Sequence, residues 1–120
     1  MAFESHIEVS ISQDALHFWP EAGDVLPSRA YLSSPHHHTF HITACVKVQH
    51  SNRDVEFHDF KHELRKVVRN IISWEVGGAA SFGPLSCEAI AQMILEQFPD
   101  NVFEVRVFED EDCGAVVRRV

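Results

Sequence analysis

The chain has 120 residues, enough for one domain spanning 1–120 with a sizeable core and little room for a second. Its 45% hydrophobic and 23% charged residues match a soluble globular protein. A net charge of -8 leaves no basic stripe to neutralise phosphates, which argues against nucleic acid, and no apolar run is long enough for a membrane span.

Residues Met1 to His6 lack the basic-then-apolar order of a signal peptide. Ile7, Val9 and Ile11 then alternate with Glu8, Ser10 and Ser12, which predicts a strand over 7–17. The same parity carries His17 onto the apolar face. Pro20, Gly23, Pro27 and Pro35 mark 18–35 as a long loop. In the second predicted strand, 38–49, Phe40, Ile42, Ala44, Val46 and Val48 share a face, and His36 and His38 lie on that parity. Ser51 to Asp54 form a turn. Phe57, Phe60, Leu64, Val67, Val68 and Ile71 make a helical stripe over 58–71.

Gly77, Gly78, Gly83 and Pro84 mark a second irregular stretch. Ser86 is placed to cap a helix over 87–98, with Ala89, Ile90, Met93, Ile94 and Gln97 on its contact side and Pro99 as its stop. Phe103, Val105 and Val107 alternate with Glu104 and Arg106, and after the acidic turn Asp110 to Asp112 a last strand carries Ala115 and Val117. The order predicts an α+β fold, a four-stranded antiparallel sheet with two helices on one face. Long strands such as 38–49 at a sheet edge would invite pairing between identical subunits. Cys45, Cys87 and Cys113 are odd in number and widely spaced, which suggests reduced thiols, packed as small hydrophobes, and a cytoplasmic home.

Residues i and i+2 of a strand share a face, so His36 and His38 can grip one ion. Strand pairing would bring His17 alongside. Three imidazoles with one open position is the arrangement of a catalytic zinc rather than a closed structural one. A histidine run alone fits a solvated loop equally well. Glu109 extends the parity of Val105 and Val107, so either it faces inward and needs a partner, such as a heterocycle with adjacent ring N–H and amino donors, or the strand ends at Phe108 and it is solvated.

These segments, in this order, resemble the 6-pyruvoyl-tetrahydropterin synthase and 6-carboxytetrahydropterin synthase family, of the tunnelling fold. Ala15-Leu16-His17 resembles the family's first zinc histidine. His36-His37-His38 resembles its His-Gly-His, with His37 in place of Gly. Val55 to Lys61 resembles the start of its first helix, Leu85-Ser86-Cys87-Glu88 that of its second, and Val105 to Glu109 the strand ending in its pterin-anchoring glutamate. The resemblance implies that His17, His36 and His38 bind Zn2+, and that Glu109 and Ser86 contact a pterin. It implies a lyase acting on dihydroneopterin triphosphate or a related pterin, a hexamer of two trimers, and active sites between subunits.

The chain departs from the family at its proton-transfer groups. The stretch Arg29 to Pro35 holds no counterpart of the family's cysteine, and the positions of its Asp-His pair are Ile72 and Ser73. Zinc acidifies a hydroxyl, but a base must still accept the proton within hydrogen-bond reach. His37, His41, Glu75, Glu21 and Asp24 are the remaining candidates, and the catalytic residue stays unassigned. The alternative to a lyase is a paralogue that binds zinc and pterin without turnover. A purely structural oligomer with incidental histidines is a third reading.

Overall fold

In the computed structural model, β1 (His6–His17) and β2 (His36–Lys47) pair antiparallel without a shift, from His6 opposite Lys47 to His17 opposite His36. The structure describes residues 2–72 and 74–120, and of residues 74–76 the backbone alone. Ser73 therefore lies outside the described residues, as do the side chains of Trp74 and Glu75.

Period-two alternation puts Val9, Ile11 and Ala15 of β1, and Phe40, Ile42, Ala44 and Val46 of β2, into one core. Helices α2 (Phe57–Ile71) and α3 (Cys87–Glu96) cover that face, α2 against β1 and α3 against β5 (Val102–Glu109) and β6 (Cys113–Arg118). Each helix starts at a side-chain cap. The Glu56 carboxylate accepts the Asp59 N–H at 2.7 Å, and the Ser86 hydroxyl accepts that of Ala89 at 3.1 Å.

The α+β class and the four long antiparallel strands agree with expectation, but the sheet does not stop at four. Among the described residues it has six strands: with β3 (Trp74–Val76) and β4 (Ala79–Ser81) the order is β3-β4-β1-β2-β5-β6, and β4 runs parallel to β1. The two added strands come from the stretch that reads as irregular. Gly77 and Gly78, at φ 59° and 82°, form a two-residue turn between Val76 and its partner Ala79. Positive φ at both turn positions is what a tight hairpin requires, so the glycines join strands here rather than interrupt them. β2 lies in the interior of the sheet, between β1 and β5, whereas β4 meets β1 only at Leu16 opposite Ser81, so the rest of β1 stays an edge among the described residues.

Other differences are local. The connection 18–35 holds α1 (Ala22–Val25) and a 3-10 segment over Pro27–Ser33 that breaks at Arg29. A shift of register between Cys45 and Val46 turns Phe103 out of the core parity and gives its place to Val102. Phe57 is exposed at the first turn of α2. In α3 the buried side is Cys87, Ile90, Ala91, Ile94 and Leu95, leaving Met93 and Gln97 exposed.

Candidate metal centre

His17 is buried, and its cross-strand partner His36 and the diagonal neighbour His38 are half-buried on the same face. The three rings meet edge-on, with centroids 4.6, 5.3 and 5.1 Å apart and interplanar angles of 68°, 80° and 87°. One nitrogen of each lies within 4.8 Å of the others.

The opposite nitrogen of every ring faces an acceptor. His17 Nδ1 donates to the Leu85 carbonyl at 3.0 Å, His36 Nδ1 to the Ser34 carbonyl at 3.0 Å, and His38 Nδ1 to Asp110 Oδ2 at 2.9 Å. A neutral imidazole has one donor and one acceptor nitrogen, so these contacts leave each Nε2 as a lone pair. His17 Nε2 is buried and has no hydrogen-bond partner among the described residues. A buried, unpaired acceptor is costly. Burial pushes the His17 imidazole below the ordinary histidine range, so protonation is a poor remedy. Three nitrogens converging in this way fit a divalent cation, with zinc matched to imidazole donors.

The backbone around the site is stitched in place. Phe82 N donates to the Leu16 carbonyl at 2.8 Å, Phe18 N to Gly83 at 3.0 Å, and the buried Ser81 hydroxyl to Leu16 at 3.1 Å. These bonds hold segment 81–85 against the end of β1 and aim Leu85 at His17. Phe40 stacks edge-on against both His17 and Phe82. On the far side Asp110, at φ 54°, turns its carboxylate back to accept the Thr39 N–H at 3.1 Å as well as that of His38. Those two donors, His38 foremost, hold Asp110 below the usual carboxylate range.

The two open possibilities for Glu109 resolve inward. β5 runs through Glu109, opposite Phe40, and the carboxylate lies 3.1 Å from His17 Nε2 and 3.5 Å from His38 Nε2. The Cys87 thiol donates to it at 3.6 Å. Burial and then Glu109 push that thiol up to about 12, so it stays protonated.

Above the three histidines opens a cavity of about 620 Å³, within the usual range for a small-molecule site. Glu109, Ser86, Cys87, Cys113, Trp19 and Leu32 help line it. The structure thus brings together all five residues singled out from the sequence: His17, His36, His38, Glu109 and Ser86. Ser86 accepts from Ala89 at the start of α3 and lines the cavity.

No protein-family model and no curated protein matches the chain. The crystal structure of an uncharacterized protein from Wolinella succinogenes is similar, with a TM-score of 0.70 at 12% identity, covering 99% of this chain and 100% of that one. A likeness at that identity shows a shared fold. Among the described residues no helix is long and apolar enough to cross a membrane.

The candidate proton acceptors fare differently. Glu21, Asp24, His37 and His41 do not line the cavity. His41 Nδ1 lies 3.2 Å from the Ser12 hydroxyl on the other face of the sheet, as its parity predicts. Two residues that the sequence reading set aside do reach the site. Asp110, read as part of a solvated turn, bonds a site histidine, and Cys113, read as a buried hydrophobe, is exposed at the cavity.

Proposed function

We propose that this chain is a zinc protein of the pterin synthase kind, with His17, His36 and His38 holding the ion and the cavity above them taking a pterin. The observation that carries the reading is the buried Nε2 of His17, a lone pair without a hydrogen-bond partner, aimed at the point where two further imidazoles converge. Bound zinc would supply Lewis acidity toward the hydroxyls of the guest's side chain. Glu109 offers a carboxylate to the guest's N–H donors, Ser86 offers a hydroxyl, and Trp19 and Leu32 give the cavity apolar wall. The full form of the reading is a lyase acting on dihydroneopterin triphosphate or a related pterin, assembled as a homo-oligomer of two trimers.

A second form has a specific observation in its favour. Among the described residues, the cavity's thiol next to Glu109 is held protonated, and none of the histidines outside the metal set reaches the cavity. That chemistry suits a binding protein without turnover. Metal analysis of the purified protein and of His36→Ala tests the site: near-stoichiometric zinc in wild type and none in the variant is expected. Zinc retained by His36→Ala removes the assignment. Turnover assays with dihydroneopterin triphosphate then separate lyase from binder.

A further inference from the structure

We infer that His6, Glu8 and Cys45 form a second divalent-cation site, suited to zinc, on the face of the sheet away from the helices. It lies at the other end of β1 from His17, about 30 Å along the strand. Its ligands are separate from the three histidines, so it stands whether or not those hold an ion.

Strand register assembles the group. Glu8 stands directly opposite Cys45 in the pairing of β1 with β2, and His6, two residues before Glu8, shares its face. The ligand atoms of the three side chains all lie within 4.8 Å of one another. A single carboxylate oxygen, Glu8 Oε1, is 3.1 Å from His6 Nε2 and 3.4 Å from Cys45 Sγ. Tetrahedral zinc, with bonds of about 2.0 Å to nitrogen and oxygen and about 2.3 Å to sulfur, sets neighbouring ligand atoms about 3.3–3.5 Å apart. The chain therefore holds an imidazole, a carboxylate and a thiol near the corners of such a polyhedron, and each is a zinc ligand type.

The surroundings support the same reading. The buried Cys45 thiol also touches Glu104 Oε2, 3.6 Å away on the other neighbouring strand, which steadies the sulfur. Glu104 is paired with Arg118 and Arg106, so its charge is already met. Among the described residues Glu8 pairs with His6 and with no Lys or Arg. A divalent ion would balance the Glu8 carboxylate and the Cys45 thiolate together. The Phe103 ring meets His6 edge-on at 5.3 Å and fixes the swing of the imidazole. On binding, the thiol proton leaves to solvent, and His6 presents Nε2 as a lone pair with its own proton on Nδ1. His6 and Glu8 are exposed and must be ordered, and a proton must be displaced, so this site binds more weakly than the histidine centre. It empties on purification and fills when the cation is supplied.

Cobalt(II), titrated into the protein as purified, is the probe, because a thiolate bound to it absorbs in the near ultraviolet. That sulfur-to-cobalt band should grow and saturate at one equivalent. The histidine centre has no sulfur ligand, so His36→Ala should give the same band. His6→Ala and Glu8→Ala, at exposed positions, should each weaken the binding that this band reports by at least about tenfold. Cys45→Ser should abolish the band. A wild type without the band overturns the inference and needs no variant to fold. A band undiminished in Cys45→Ser, which would place the sulfur at another cysteine, overturns it as well. So does a band lost in His36→Ala, or unchanged affinity in either His6→Ala or Glu8→Ala.

Discussion

His38 and Asp110, 72 positions apart, are joined by a 2.9 Å hydrogen bond from Nδ1 to Oδ2. The bond fixes the tautomer and the swing of the ring, which is how a group outside the ligand set tunes a metal. Asp110→Ala should weaken zinc binding by about 10- to 100-fold. Asp110→Asn, which keeps an acceptor oxygen, should lose less. Chelator competition on both variants checks this, and equal affinity in all three proteins would show that His38 needs no support.

Glu104 is buried on the face of the sheet away from the helices. It accepts from Arg118 Nε at 2.9 Å, Arg106 Nε at 3.2 Å and the Cys45 thiol at 3.6 Å. Burial raises its pKa, but the hydrogen bonds from Arg118, Arg106 and Cys45 outweigh it, and the net direction is down. A carboxylate with a lowered folded pKa contributes stability above its unfolded value and loses it as pH falls through the folded one. Glu104→Gln should cost about 1–3 kcal/mol at neutral pH. It should also flatten the decline of melting temperature on acidification below the usual carboxylate range. Parallel pH–melting curves for wild type and variant would count against this.

The three thiols should react unequally. Cys45 is pushed up to about 12, by burial first and then by Glu8 and Glu104, and Cys87 to about 12 by burial and Glu109. Cys113 is exposed. Brief treatment of the native protein with a maleimide should label Cys113 alone by mass spectrometry. Labelling of Cys45 at a similar rate would mean that its strand opens readily.

A Cβ added at Gly114 would sit 2.3 Å from the Val107 carbonyl oxygen and 2.5 Å from Phe108 Cα. Both are backbone atoms, so β6 would have to move. Gly114→Ala should destabilise the fold by about 1–3 kcal/mol, read by denaturant unfolding. A neutral effect would show that β6 is loosely held.

Much of the site was legible because a strand has a period of two. Parity puts His17, His36 and His38 on one side and leaves Glu109 open between facing inward and solvation, and the register of β1 with β2 brings the histidines together. What was not legible depends on backbone and on distance along the chain. The acceptor for His17 is a carbonyl, which residue type does not reveal, and it lies 68 positions away. Asp110 sits in an acidic run that reads as a solvated turn, and its value comes from a left-handed φ that bends it back. The strands β3 and β4 are hidden in the sequence because Gly77-Gly78 signals a break and a hairpin turn with the same letters. Phe103 leaves the core parity at a bulge, which makes no mark on alternation until the partner strand is known.

The unshifted pairing of β1 with β2 has a bearing on folding. Were the two strands to slide by one place, His36 and His38 would swap sides with His37, and the imidazoles would point in opposite directions. An ion captured by all three rings therefore rewards a single alignment of the hairpin and penalises every neighbouring one. On the metal reading proposed above, cation uptake during refolding would act as a proofreader of strand alignment.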